Sequence, residues 1–289
     1  MYWLGRYTER SENMVRLVRL CFEALNSETP ASQNLWAWLQ LMAQREGLVP
    51  VGLPATHHTY ENKTTAHMSS RRRVFERALI TGLNDGKHST SVGYNLRALH
   101  QAASSLRERL SPEHWNAIVH CVDQFSADCA LTGSQREFSA VQALQALDAA
   151  SSALAAITGA QTDRMTRDDG WQLLSIGRHV ERLNFLSASL ARGFETRSVE
   201  TEGGFEAMLA LFDSTITFHA QYQQSRDIAA LTDLLVLDLD NPRSLAWVAH
   251  TLRGRLAKLA GSPAGERLTK MSQIVEKPAP DKAPSNLGV

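Results

Sequence analysis

Six residues, Gly5-Arg6-Tyr7-Thr8-Glu9-Arg10, return 172 positions later as Gly177-Arg178-His179-Val180-Glu181-Arg182, with the glycine, both arginines and the glutamate kept in place. At about 100° per residue, this spacing puts Arg, Glu and Arg on one side of a helix. Trp3 stands just upstream of the first copy and Trp171 upstream of the second. Such a trio supports two kinds of chemistry. Its guanidiniums can grip a carboxylate of the same chain in two-pronged fashion, or they can grip a carboxylate or phosphate brought from outside.

The neighbours of each trio predict that it is partly buried. With Arg178 as the origin of a helical wheel, Trp171, Leu174 and Phe185 project within about 40° of it, and Leu173, Ile176, Val180, Leu183 and Leu190 form a second apolar stripe opposite. In the first copy Tyr2, Leu17 and Leu20 share a face with Arg6, Glu9 and Arg10. Glu12, Arg16 and Arg19 fall on another side, where Glu12 and Arg16 read as an ordinary exposed pair one turn apart. An unpaired buried ion is costly, so two arrangements are open. In one the helices cross, Glu9 meeting Arg178 or Arg182 while Glu181 meets Arg6 or Arg10. In the other, the excess of two arginines over one glutamate in each trio binds an external anion. A catalytic variant would use Glu9 or Glu181 as a general base, although neighbouring arginines favour the ionised carboxylate and oppose that role.

Further along, Asn241-Pro242-Arg243-Ser244 reads as a helix start with Asn241 as cap and Pro242 in the first position, and Arg243 in a first turn suits an anion. Familiar catalytic signatures are missing. There is no Glu-x-x-His, no His-Glu-x-x-His, no Cys-x-x-Cys and no Gly-x-Ser-x-Gly. Gly82-Leu83-Asn84-Asp85-Gly86-Lys87-His88 resembles a phosphate loop, but it follows a helix and ends without Ser or Thr, so it reads as a helix end and turn. His57-His58 lacks partners at ligand spacing, His179 reads as a packed or surface histidine, and Arg71-Arg72-Arg73 reads as a solvated helix face. No metal and no cofactor is expected.

The elements that must carry these residues are helices. Between Pro54 and Pro263 the only prolines are Pro112 and Pro242, each at an expected helix start. Helices are expected near 1–26, 32–46, 67–83, 89–109, 112–130, 136–158, 169–194, 203–220, 226–237 and 242–261, giving an all-α multi-helix bundle in which the two motif helices are pseudo-equivalent. A surface loop is expected over 47–66. A single domain is expected over 1–262, with possible halves 1–160 and 168–262, and a disordered tail over 263–289.

At 289 residues, 43% hydrophobic and 21% charged, the chain has the make-up of a soluble globule. Its zero formal net charge opposes electrostatic nucleic-acid binding and a polybasic membrane anchor. Cys21, Cys121 and Cys129 follow no disulfide pattern, which fits a reducing compartment. No stretch of eighteen apolar residues is seen and no signal peptide is recognisable, so a cytoplasmic protein is expected, with no membrane and no nucleic acid as partner.

Tyr2-Trp3-Leu4-Gly5-Arg6-Tyr7-Thr8-Glu9-Arg10-Ser11-Glu12-Asn13 resembles the opening of the bacterial alpha-E domain family. The resemblance continues through Leu106-Arg107-Glu108-Arg109-Leu110-Ser111-Pro112-Glu113-His114-Trp115, through Gly170-Trp171 to Glu181-Arg182, and through Leu234–Asp238 into Asp240-Asn241-Pro242-Arg243-Ser244-Leu245-Ala246. Gln101-Ala102-Ala103-Ser104 stands where the family usually shows Glu-Asn-Ala-Arg. The resemblance implies a helical fold and a role beside circularly permuted ATP-grasp ligases and transglutaminase-like peptidases, with which such domains are encoded or fused. Joined to the arginine surplus read above, it points to a non-catalytic subunit of a peptide or amide ligase, with Trp3, Arg6, Glu9, Arg10, Trp171, Arg178, Glu181, Arg182, Asn241 and Arg243 binding a carboxylate-bearing substrate or partner. A structural adaptor with internally paired charges is the alternative.

Overall fold

Short polar side chains set where most of the helices begin. Ser32 accepts from the Leu35 N–H at 3.1 Å, Ser91 from Tyr94 at 2.9 Å, Asp168 from Trp171 at 2.9 Å and Ser244 from Trp247 at 3.0 Å. Ser139 and Gln142 form a reciprocal capping box. In the computed structural model, residues 1–27, 31–53, 65–85, 90–130, 139–222 and 226–261 are described, the backbone alone at 65–69. Among these residues there are α-helices and no strands: α1 (Tyr2–Asn26), α2 (Gln33–Arg45), α3 (Thr65–Gly82), α4 (Val92–Ser104), α5 (Pro112–Ala130), α6 (Ala140–Asp163), α7 (Asp169–Glu195), α8 (Glu202–Leu211), α9 (Thr215–Tyr222), α10 (Ile228–Thr232) and α11 (Leu245–Ala260).

Several expected helices start or stop elsewhere: that over 89–109 ends at Ser104, with a separate 3-10 turn at Arg107–Arg109, and that over 136–158 runs on to Asp163. Pro112 opens α5 as expected, but Pro242 opens nothing: Asn241 turns its side-chain oxygen onto the Arg243 N–H, a turn closes from Ser244 to the Asn241 carbonyl, and Ser244 caps α11. The helix expected over 203–220 is cut in two. Ser214 N–H reaches back to the Leu209 carbonyl at 2.9 Å and Asp213 N–H to Ala210 at 3.0 Å, while Asp213 takes a left-handed φ of 53°. This is the Schellman helix ending with aspartate in the place usually held by glycine, so composition gave no stop signal. Near the other end, α10 runs into a π-helical turn over Asp233–Leu237, closed by Asp238 N–H on the Asp233 carbonyl at 2.9 Å.

The arrangement centres on α1 and α7. Contacts advance in the same direction along both, Gly5 lying against Leu174 and Arg178, and Glu9 against Arg178 and Arg182, so these two helices run parallel. α6 lies antiparallel on α1, joining Gln161 to Thr8 and Asp148 to Arg19. α11 lies antiparallel on α7, joining Arg255 to Trp171 and His179 to Trp247. α4 packs on α1 and α5, and α2 and α8 on both central helices. The core is aliphatic and aromatic, with Phe22, Trp36, Trp38, Phe185 and Phe205 fully enclosed.

Against the expectation of no such stretch, α6 is apolar enough by length and mean hydropathy to cross a membrane, because its polar residues are scattered among alanines and leucines. Its Ala143, Leu147, Ala150, Leu154 and Ile157 side is buried, and it packs on α5 and α1. Arg72 is not simply solvated, since its guanidinium lies over Trp36 at 5.0 Å. Gly82 is the last residue of α3, as expected. Residues 86–88, His57 and His58, most of the expected 47–66 loop, and the expected tail at 263–289 lie outside the described residues.

Candidate functional site

Glycine makes the site possible. A Cβ on Gly5 would sit 2.0 Å from the Leu174 carbonyl oxygen, and one on Gly177 would sit 2.2 Å from that of Tyr2. Each motif glycine therefore rests directly on the backbone of the other helix, an approach no larger residue permits. The glycines open both copies of the repeat, and this shared position was the available sequence signal for their role. The close approach brings the two trios face to face.

The trios pair reciprocally. Arg182 forks onto Glu9, Nε to Oε1 and Nη2 to Oε2, both at 2.7 Å, and Arg178 adds Nη2 at 3.3 Å. On the other side Arg10 forks onto Glu181, Nε to Oε1 at 2.8 Å and Nη2 to Oε2 at 3.0 Å, and Arg6 adds Nε at 2.9 Å. Of the two arrangements open from the sequence, the crossed pairing is present.

The two carboxylates live in different surroundings. Glu9 is fully buried, and a third guanidinium reaches it, Arg243 Nη1 at 3.4 Å. Burial by itself would raise the Glu9 pKa, but the charges of Arg182 and Arg178, the Arg182 hydrogen bonds and the charge of Arg243 outweigh it and hold the carboxyl well below the usual range. For Arg182, burial is likewise outweighed by the charge and hydrogen bonds of Glu9, and its pKa rises. Around Glu181 the arginines stay partly wet, with side-chain exposures of 22% for Arg6 and 30% for Arg10. Arg6 lies 5.6 Å from the ring of Trp3, which stacks on Tyr7, and Arg10 lies over Tyr7. At the edge of this cluster sits Glu46, whose pKa is raised chiefly by burial, against the opposing charge of Arg45.

Glu12 and Arg16 are not the exposed pair expected. Glu12 is buried and joins the cluster, with Arg178 at 3.7 Å, Arg243 at 3.8 Å and Arg16 at 3.9 Å, and the Thr158 hydroxyl donates to it. α6 supplies Thr158 and the turn before α11 supplies Arg243, and together they cover a side of α1 that the helical wheel leaves open. Arg16 reaches further, to Asp213 at 3.5 Å.

Other expected site residues take distinct places. Trp171 is buried away from the ion pairs, its indole N–H donating to the Gln161 carbonyl at 2.8 Å and its ring flanked by Arg167 and Arg255, each at 4.5 Å. Trp3 by contrast is 55% exposed. Asn241 stays in its loop, donating to Ser214 Oγ and the Leu234 carbonyl, whereas its neighbour Arg243 enters the cluster. His179 is buried against Trp247 and donates from Nδ1 to the Ser175 carbonyl at 2.6 Å. Burial and the charge of Arg182 lower its pKa to about 4, so the ring is neutral near pH 7. Among the described residues no three His, Cys, Asp or Glu side chains gather as metal ligands.

Residues 1–282 match a family described as Alpha-E, "a predicted alpha-helical domain with a conserved ER motif". Glu-Arg pairs stand at the heart of both clusters here, at 9–10 and 181–182. Two bacterial relatives, the uncharacterized protein Rv2567 of Mycobacterium tuberculosis H37Rv and the uncharacterized protein Mb2597 of Mycobacterium bovis, are each 25% identical over 94% of the chain. The chain spans 30% of the length of these relatives. No solved structure matches it.

Proposed function

The chain belongs to the Alpha-E family, and from that premise we propose that it is a non-catalytic helical subunit of an ATP-grasp-type peptide or amide ligase system, in which its arginine clusters receive a carboxylate-bearing substrate or partner. The observation that carries this reading is the surplus of guanidiniums. Among the described residues, Arg6, Arg10, Arg16, Arg45, Arg178, Arg182 and Arg243 gather around five carboxylates, those of Glu9, Glu12, Glu46, Glu181 and Asp213. The cluster thus holds two more positive than negative charges, and Arg6 and Arg10 meet solvent beside exposed Trp3. The ligase association rests on the family resemblance. A transglutaminase-like peptidase is the second partner we propose, with neither nucleic acid nor membrane involved and a cytoplasmic setting.

The reciprocal contacts also support reading α1 and α7 as pseudo-equivalent helices of one bundle, and the chain as a single domain through about residue 262. A structural adaptor is the second reading, favoured by one observation: every arginine of both trios already touches a glutamate of the other. A general base at Glu9 has the chemistry against it, because a base must take up a proton near neutral pH and Glu9 is enclosed by guanidiniums that keep it ionised.

The test is to purify the chain with its ATP-grasp partner and to follow ATP consumption across amino acids and short peptides, with each protein alone and with both. Turnover that needs both chains, and that Arg6→Ala or Arg10→Ala lowers in a protein still folded, is the expected result. A ligase equally active alone, with no co-elution of the two, would sink the proposal.

A further inference from the structure

We infer that Arg16 and Arg243 form a carboxylate-binding site which Asp213 fills from within the chain, and that a ligand carboxylate takes the place of Asp213. The inference goes beyond the proposed function by placing a carboxylate site at the Glu9 end of the cluster, apart from Arg6 and Arg10, and it rests on that reading for the ligand's biological role.

The contacts at this corner are long. Arg16 Nη2 stands 3.5 Å from Asp213 Oδ2, and Arg243 Nη2 stands 3.6 Å from the same oxygen. Beside them, Arg182 holds Glu9 at 2.7 Å through both carboxylate oxygens. Charge-assisted N–H···O bonds close to about 2.7–2.9 Å when geometry allows, so Asp213 bridges two cations with one oxygen and closes on neither. A free carboxylate could give one oxygen to each. Arg16 Nη1 is buried without a hydrogen-bond partner among the described residues.

The charge count favours an incoming anion. Arg16, Arg178, Arg182 and Arg243 share this corner with Glu9, Glu12 and Asp213. Burial above all, with the charges of Arg182 and Arg16, lowers the Arg243 pKa to about 9 against the opposing pull of Glu9 and Glu12. Withdrawal of Asp213 would leave four guanidiniums to two carboxylates. Glu9 and Glu12 are locked in place by shorter contacts or burial, whereas Asp213 is 64% exposed and is the group able to leave.

Asp213 is also held in an unusual backbone state. Its φ of 53° is in the left-handed region, uncommon for a residue with a side chain and tolerated best by Asn and Asp. The position ends α8, where glycine would serve the backbone equally well. Aspartate there adds a carboxylate aimed at Arg16 and Arg243.

The inference is tested by calorimetric titration of the full chain with succinate, and with inorganic phosphate in parallel. Wild type should bind succinate weakly, and Asp213→Asn should bind it about tenfold more tightly because the internal competitor is gone, a change of about 1.4 kcal/mol. Arg243→Gln should abolish binding. Should that variant fail to fold, Arg16→Gln, at a wetter position, carries the same expectation. Unchanged or weaker succinate binding in folded Asp213→Asn overturns the inference, as does a clear preference for phosphate. Binding lost in Arg6→Gln plus Arg10→Gln but kept in Arg243→Gln would also overturn it, by moving the site to Glu181. That outcome would leave the ligase-subunit proposal standing, which fails on the partner assay and not on this one.

Discussion

Glu9 and Glu181 occupy the same place in two copies of one pattern, and each is gripped by two arginines of the opposite helix, yet they sit in unlike environments. Glu9 is sealed by Arg243 from the turn before α11, with Glu12 and Thr158 beside it. Glu181 faces Arg6 and Arg10 with their outer surfaces wet, and Glu46, just past the end of α2, lies within reach of its charge. The repeat fixes which groups meet. Whatever covers them fixes how costly it is to separate them, because a charge can fall back on water only where water can reach it.

Removing the two carboxylates in turn is the strongest challenge to this contrast. Glu9→Gln should cost about 3–5 kcal/mol, the range for breaking a buried pair and stranding its partner. Glu181→Gln should cost about 1–3 kcal/mol, since Arg6 and Arg10 can turn outward. Urea denaturation of both variants decides the matter, and equal losses would mean that the covering of Glu9 is energetically empty.

Acid titration sharpens the same contrast, because His179 stands on the Glu9 side. Its folded pKa of about 4 lies below the ordinary 6.5, so between those values the unfolded chain binds the extra proton and stability falls as pH falls. At the low end the loss should approach about 3 kcal/mol, and His179→Gln should flatten that part of the melting-temperature profile. Below it the Glu9 contribution, complete above the ordinary carboxyl pKa, is lost as pH falls through its depressed folded value.

Gly5→Ala and Gly177→Ala strike both clusters together. Each new methyl meets a backbone carbonyl that cannot turn aside, so each should cost about 1–3 kcal/mol as overpacking, although alanine is the better helix former. A stability gain in either variant would show that the helices slide apart freely. The smallest effect is expected on the wetter side. Glu46 has a raised folded pKa, so it opposes folding as pH rises past the usual carboxyl value. Glu46→Gln should therefore raise stability near pH 7, by under about 1 kcal/mol, and a loss there would reverse the sign assigned to its burial.

The crossed pairing was legible because it follows from residue types at helical spacing. Arg and Glu at i, i+1, i+4 and i+5, set among apolar neighbours, leave few ways to satisfy the charges. What the spacing could not show lies in third elements. Glu12 and Arg16 looked exposed because a helical wheel contains neither α6 nor the turn before α11. Asp213 ended a helix without glycine, and Asn241-Pro242 carried a sound start signal that Ser244 took over. Arg243 was singled out for a helix N-terminus and proved instead to be the cation that closes over Glu9.

The pairing of Glu9 with Arg182 spans 173 residues of chain. A chain made from its N-terminus exposes α1 long before α7 exists, and folding rates fall as contacts become more distant in sequence. Until α7 emerges, Glu9 lacks Arg178 and Arg182, the two guanidiniums of α7 that hold it in the folded protein. The first 160 residues would then be unable to complete their own core, and the synthesis of α7 becomes the event that commits the N-terminal helix to its final place.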